Sequence, residues 1–271
     1  MTVRVTYEDA VAWVCMDRPP LNLFDTSQQL GAELVLSELE VRDGLRAVVF
    51  TGAHGHFSAG GDVKEMGTLP VDEVAGYADR ISRLTRQVAA LPVPVIAAME
   101  GFVLGGGCEL ALAADVRVCA PSARFALPET PLGLIPGAGG TQRLPRLVGL
   151  SRAKDIIFSG RMVYADEAAR IGLVDAVVPE EALTRTAREW ALRYTACPAG
   201  ALAAAKQAID ASMEGPLGAG LDLERALFTP LLAAGERTAH FHRFQQSRAG
   251  APAPANAPAA ASVSRDALGG V

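Results

Sequence analysis

Three consecutive glycines, Gly105, Gly106 and Gly107, constrain this chain more than any other stretch. They follow an apolar run, Val93 to Met99, that predicts a short buried strand, and they precede Leu110 to Ala114, which opens like a helix. Glycine carries no Cβ, so the backbone at such a junction can pass close to a second backbone or a ligand. Amide N–H groups at a helix start lack intrahelical partners and can hold an anion or a developing oxyanion. Glu109 comes two residues after the last glycine, on the first turn of an otherwise apolar segment. A carboxylate there must be paired, near water or chemically engaged. A plain helix N-terminus with an acidic first turn has the same local pattern, so the stretch alone leaves both readings open.

The flanking chain predicts an α/β core. Val3–Tyr7 and Val11–Cys15 are β-rich runs either side of Glu8-Asp9, a hairpin pattern. Asp25 or Thr26 can cap a helix to about Glu40, with Leu30, Leu34 and Leu39 expected toward the core. Leu45–Thr51 predicts a buried strand, followed by a glycine-rich loop, Gly52–Gly61. A helix over about 71–90 carries Val74, Ile81, Leu84 and Val88 at helical spacing. After the opening stretch come short strands at Asp115–Cys119 and Ala123–Leu127. A second glycine-dense turn, Gly133–Gly140, enters a helix. Helices fit 151–159 and 165–171, and a strand fits Leu173–Val178. From Glu180 onward only helices fit, at about 180–195, 199–213, 220–232 and 236–246. The residues 249–262 are mostly alanine and proline and carry almost no charge, which predicts a disordered tail. Strand–helix alternation followed by helices alone sets an α/β core over residues 1–195, a helical segment over 196–248 and the tail over 249–271.

Half of the 271 residues are apolar and the formal net charge is −5. A sizeable core can form. No dense Lys/Arg stripe points to nucleic acid as a partner, and no apolar run of about 18 residues points to a membrane span. Cys15, Cys108, Cys119 and Cys197 make no C-x-x-C pair and lie in apolar settings, which suits reduced core thiols in a cytoplasmic protein. The N-terminus lacks a charged-then-apolar signal pattern.

Two glycine loops therefore follow two successive strands: Phe57-Ser-Ala-Gly60-Gly61-Asp62 and Leu104–Glu109. If adjacent strands deliver both, main-chain N–H groups can converge on one oxygen. Glu109 and Glu129, on either side of the strand near Asp115, would suit general acid–base work if one pocket held both. Rival motifs are incomplete. The G-x-G-x-x-G spacing of a dinucleotide site is absent, and Gly137–Thr141 lacks the Gly-Lys-Ser/Thr of a P-loop. Ser58 beside His54 has no G-x-S-x-G around it. The pairs His54/His56 and His240/His242 are read as polar residues and not as metal ligands, and Cys108 as packing. Arg143 and Arg146 are read as surface or helix-packing residues.

Several of these stretches together resemble the enoyl-CoA hydratase/isomerase (crotonase) family. They are Phe57-Ser-Ala-Gly-Gly-Asp62-Val-Lys-Glu-Met66, Gly105-Gly-Gly-Cys-Glu109-Leu-Ala, Pro128-Glu129, Ile135-Pro-Gly-Ala-Gly-Gly-Thr-Gln-Arg143-Leu, Gly160-Arg-Met-Val-Tyr-Ala165 and Ala169-Arg-Ile-Gly-Leu-Val-Asp175. The similarity spans about residues 3 to 247, with the motifs in the family's order. It implies a crotonase-like spiral of ββα turns with a C-terminal helical trimerisation segment, and a homotrimer or dimer of trimers. It implies a thioester carbonyl held by the N–H groups of Gly61 and Gly106, Glu109 positioning or activating water, and Glu129 exchanging a proton at the substrate Cα. Relatives that isomerise often lack one of the two glutamates, so keeping both favours hydration of an enoyl-CoA. Pro20 and Leu21 in the Arg18 loop, with Ala59, Gly60, Asp62, Val63 and Lys64, would lie along the acyl-CoA substrate. No separate cofactor or metal is implied, since coenzyme A is part of the substrate. The chain departs from the family in the Arg18 loop, one residue shorter. It departs again in its last helix, where Thr238-Ala-His-Phe-His-Arg-Phe244 replaces Glu-Gly-x-x-Ala-Phe.

Overall fold

Asp9 and Ala10 both adopt positive φ, 50° and 63°, and make the tight reversal that the flanking β-rich runs call for. They join β1 (Val3–Glu8) to β2 (Val11–Met16) as an antiparallel pair in the computed structural model of the protein, which describes residues 2–234 and Phe241. β2 then pairs in parallel with β3 (Ala47–Gly52), and β3 in parallel with β4 (Val95–Met99). β5 (Phe102–Leu104) leaves that sheet, and α4 (Gly106–Ala113) follows it. β6 (Val116–Cys119) returns beside β4, and β7 (Arg124–Ala126) again departs, pairing in parallel with β5. β8 (Val163–Tyr164) pairs antiparallel with β7, and β9 (Ala176–Val177) in parallel with β6. The large sheet thus runs β1-β2-β3-β4-β6-β9 and the small one β5-β7-β8. Each turn from β4 onward gives one strand to each sheet, as a spiral of ββα turns requires.

Strand alternation divides the core in two. Val48, Phe50, Val95, Ala97 and Met99 face one cluster, with Leu36, Leu84 and Leu110 from the helices. Ala47, Val49, Ile96 and Ala98 face the other, against Leu183, Ala187 and Ala191. Burial on both faces explains why β3 and β4 read as continuous apolar runs.

The helices correct some expectations. Asp25 does cap α1 (Thr26–Val41), its Oδ1 accepting from Gln28 N at 2.8 Å. Leu34, however, is 75 % exposed and Leu30 is also exposed; Gln28, Gln29, Leu36 and Leu39 form the buried face. Gln29 can be buried because its Nε2 donates to Phe24 O at 3.2 Å. In α3 (Val71–Ala90) the inward face is Tyr77, Leu84, Thr85 and Val88, and Val74 is exposed. β5, β8 and the single turn α2 (Val63–Met66) are too short to show a period in the sequence. Cys197 is exposed, not a core thiol.

The remaining helices are α5 (Gly140–Val148), α6 (Leu150–Ser159), α7 (Ala165–Ile171), α8 (Leu183–Thr195) and α9 (Ala199–Ala211). The chain divides into two compact units, residues 1–220 and 221–271, the described part of the second being helical within α10 (Leu217–Ala233). The sequence places the core's end at Thr195, where α8 stops. The helix expected at 236–246 and the tail at 249–271 lie outside the described residues, Phe241 excepted. Among the described residues no helix is long and apolar enough to cross a membrane.

Candidate active site

Parallel pairing of β3 and β4 sends their following loops to the same end of the large sheet. The two loops interlock there. Ser58 N donates to Phe102 O and Leu104 N to Ser58 O, each at 2.9 Å. A Cβ on Gly60 would lie 2.6 Å from Leu104 O, and one on Gly107 would lie 2.6 Å from Ser58 Cβ. Only glycine permits backbones this close. Gly61 and Gly106, the neighbours of the contact Gly60–Gly105, therefore stand on adjoining backbone segments. Gly106 opens α4, so its N–H has no intrahelical partner. Among the described residues no loop or capping acceptor takes the Gly61 or Gly106 N–H.

Asn22 fixes the entrance. It is fully buried with φ of 53°, a conformation asparagine tolerates better than most residues. Its Nδ2 donates to Ala53 O at 2.8 Å and His56 O at 2.7 Å, and its Oδ1 accepts from Arg18 N at 2.9 Å. Ala59 N donates to Leu21 O at 2.9 Å. Pro20 and Leu21 are thus brought beside Ala59, Gly60 and Gly61. Arg18 pairs with Asp25 and lies 3.9 Å from Asp62. Asp62 caps α2, its Oδ1 accepting from Lys64 N at 3.0 Å and Glu65 N at 3.3 Å. Val63 and Lys64 are exposed on that turn.

The two carboxylates meet in one region. Glu109, on the first turn of α4, is 2 % exposed. Its Oε1 accepts from Ala138 N and Gly140 N, both at 2.7 Å, and among the described residues nothing donates to Oε2. Burial raises its pKa above the ordinary carboxylate range, while the two N–H groups and the Arg143 charge pull it back. Glu129 follows β7 at the head of a short turn, Thr130–Leu132. Its Oε2 is buried with no partner, and its Oε1 would lie 3.1 Å from a Cβ on Gly105. Burial, then the nearby Glu109 charge, pushes the Glu129 pKa up to about 7.

The Ala138–Gly140 turn that holds Glu109 was legible only as a glycine-dense turn, and Asn22 only as part of a loop. Of the two readings for Arg143, surface or helix packing, the contacts fit the second: it is partly buried and donates to Ala138 O at 3.1 Å and to Thr85 O on α3 at 3.4 Å. The other candidates have structural partners. His54 Nε2 lies 2.8 Å from Asp17 Oδ1, while His56 Nδ1 accepts from Phe102 N and its ring stacks on Phe102 at 4.7 Å. Ser58 Oγ donates to Asn22 O at 2.7 Å. Cys108 is buried, and burial pushes its thiol pKa far up. Among the described residues no three His, Cys, Asp or Glu side chains gather as a metal set would.

Comparison with known proteins agrees with this architecture. The enoyl-CoA hydratase/isomerase family profile matches residues 6–250. A short-chain-enoyl-CoA hydratase of Clostridium acetobutylicum is 40 % identical over 223 residues, covering 82 % of this chain and 85 % of that protein. An enoyl-CoA isomerase/hydratase of Mycosarcoma maydis is 42 % identical over 193 residues, covering 71 % of this chain and 70 % of that protein. The crystal structure of an enoyl-CoA hydratase from Bacillus anthracis superposes with a TM-score of 0.88 at 36 % identity, covering 91 % of this chain and 97 % of that one. The chain belongs to the enoyl-CoA hydratase/isomerase family and has its crotonase-like fold.

Proposed function

We propose that the protein is an enoyl-CoA hydratase, adding water reversibly and syn across the trans-2,3 double bond of an enoyl-CoA to give a 3-hydroxyacyl-CoA. The observation that carries this is the pair of carboxyl groups, Glu109 buried and Glu129 partly so, with unlike surroundings beside two unengaged glycine amides. The thioester carbonyl accepts from the Gly61 and Gly106 N–H groups, which polarises the alkene and makes Cβ electrophilic. Glu109, held as a carboxylate, takes a proton from water as the hydroxyl adds to Cβ. The enolate-like charge rests on the carbonyl oxygen facing the two N–H groups. Glu129 gives its proton to Cα, and a proton passing from Glu109 back to Glu129 resets the pair. Pro20, Leu21, Ala59, Gly60, Asp62, Val63 and Lys64 border the path of the acyl-CoA. The chemistry calls for no cofactor beyond the coenzyme A of the substrate.

The test is the loss of enoyl absorbance when purified protein meets crotonyl-CoA. Turnover is expected; no turnover on short, medium or aromatic enoyl-CoAs would remove hydration as the answer. Isomerisation is the second reading, since the Mycosarcoma maydis relative is an enoyl-CoA isomerase/hydratase. It would be the better description if Glu109→Gln left activity on a 3-enoyl-CoA intact while Glu129→Gln abolished it.

The proposal extends to a cytoplasmic homotrimer or dimer of trimers, with the segment 196–248 as the assembly element. α9 buries no residue and leaves Ile209 exposed; α10, within the second unit, exposes Leu221 and Phe228. Apolar faces of this kind are usually covered. A compact monomer at micromolar concentration in sedimentation would contradict the assembly.

A further inference from the structure

The turn that holds Glu109 is itself held from behind. Thr85, on α3 and 2 % exposed, donates its Oγ1 hydrogen to Ala138 O at 2.6 Å. Arg143, in the first turn of α5, folds back so that Nη1 donates to Ala138 O at 3.1 Å and Nη2 to Thr85 O at 3.4 Å. A Cβ on Gly139 would lie 2.1 Å from Arg143 Nη1, so the guanidinium packs directly against that glycine. The three residues close a ring of donors and acceptors around one carbonyl. That carbonyl belongs to the peptide between Ala138 and Gly139. The peptides on either side of it supply the two N–H groups on Glu109 Oε1. Fixing the middle peptide fixes the aim of both donors.

We propose that Thr85 and Arg143 are positioning residues: together they clamp the Ala138–Gly139 peptide, keep both N–H donors on one oxygen of Glu109, and leave the other oxygen turned to the attacking water. Arg143 adds a second effect, because its cation favours the carboxylate form of Glu109. The charges facing it are Glu109 on α4, Arg86 on α3 and Asp210 on α9. The kinetic consequence rests on the hydratase reading; the effect on Glu109 itself does not.

The experiment combines two readouts on Arg143→Gln, Arg143→Lys and Thr85→Val. One is the pH profile of crotonyl-CoA hydration. The other is the titration of Glu109 by carbon NMR of labelled glutamate, assigned with Glu109→Gln. Arg143→Gln is expected to lower kcat about 10–100-fold, the scale of a misplaced reacting group, with KM changed less than about threefold. Loss of the cation moves the acid limb and the Glu109 titration to higher pH. Arg143→Lys restores the limb but not the whole of kcat, because one ammonium cannot serve two carbonyls as a planar fork does. Thr85→Val lowers kcat about 3–10-fold, the worth of one hydrogen bond, and leaves the limb in place. Wild-type kcat in Thr85→Val and Arg143→Gln overturns the clamp, as does an acid limb that Arg143→Gln leaves unmoved. If Arg143→Gln does not fold, Thr85→Val and Arg143→Lys decide: full kcat in both overturns the clamp. If the native protein hydrates no enoyl-CoA, the hydratase reading falls, and an unmoved Glu109 titration in Arg143→Gln still overturns the clamp.

Discussion

Glu109 leaves the first turn of α4 with two N–H groups on one oxygen, whereas Glu129 leaves the head of the Thr130–Leu132 turn with one oxygen buried and unpartnered. Burial raises both pKa values, but only Glu109 has donors and a cation to oppose it. Glu129 is opposed only by its own amide and is pushed further by the Glu109 charge. The surroundings of the pair favour the form with Glu109 as the carboxylate and Glu129 protonated, since donors and a cation face one and burial with the Glu109 charge acts on the other. That form suits hydration, with a base at Glu109 and an acid at Glu129. On the proposed reading, the same residue type serves two tasks because the chain supplies hydrogen-bond donors to one copy and withholds them from the other.

The largest expected effect is on turnover. Glu109→Gln and Glu129→Gln should each lower kcat for hydration by at least ~10²-fold with little change in acyl-CoA binding. Their double variant should lose less than the product of the single losses, because the two act together. Near-normal kcat in either single variant, measured with crotonyl-CoA, would break the comparison.

A smaller effect sharpens the Glu109 side. A Cβ at Gly140 would lie 2.9 Å from Leu127 Cδ1 and Pro136 Cβ and 3.1 Å from Glu109 Oε1. Gly140→Ala should displace the donor or the carboxylate and reduce kcat about 10–100-fold. Unchanged kcat would mean that the Gly140 N–H does not set the pose of Glu109.

The Glu129 side is tested by stability. A carboxyl whose folded pKa is raised from 4.5 to about 7 binds more protons folded than unfolded between those values. Its contribution to stability therefore falls as pH rises through that window and stays low above it. Glu129→Gln removes that loss. Relative to the native protein it should gain about 1–3 kcal/mol at pH 8 and little at pH 4 in urea unfolding. A gain that did not grow with pH would show that Glu129 is not a strained acid. The smallest effect is expected at Gly61, where an added Cβ meets the flexible end of Met66, its Sδ at 2.9 Å. Gly61→Ala should hold kcat within roughly threefold, about 0.7 kcal/mol of barrier; a larger loss would mean that Met66 cannot yield.

The glycine runs and the buried strands were legible because both are local signals: a missing Cβ permits close approach, and apolar runs mark strands covered on both faces. The capping Asp25 was legible for the same reason. The buried face of α1 was not. Gln28 and Gln29 occupy core positions there, and an apolar-period reading assigns those positions to Leu30 and Leu34. The pairing of Glu109 with Glu129 was legible through family resemblance, not through spacing. The holders of Glu109 were hidden, since a main-chain N–H at Ala138 carries no side-chain signature. Arg143 reads only as a surface or helix-packing residue, and the packing partner appears once the fold turns it back over Gly139.

The division of labour between the two carboxyl groups is most directly tested by hydrogen exchange at the Cα of butyryl-CoA in deuterated water. That substrate has no double bond to hydrate, so only the group facing Cα acts. Proton NMR should show exchange retained by Glu109→Gln and lost by Glu129→Gln. Exchange lost in Glu109→Gln and kept in Glu129→Gln would contradict the assignment of the acid and the base.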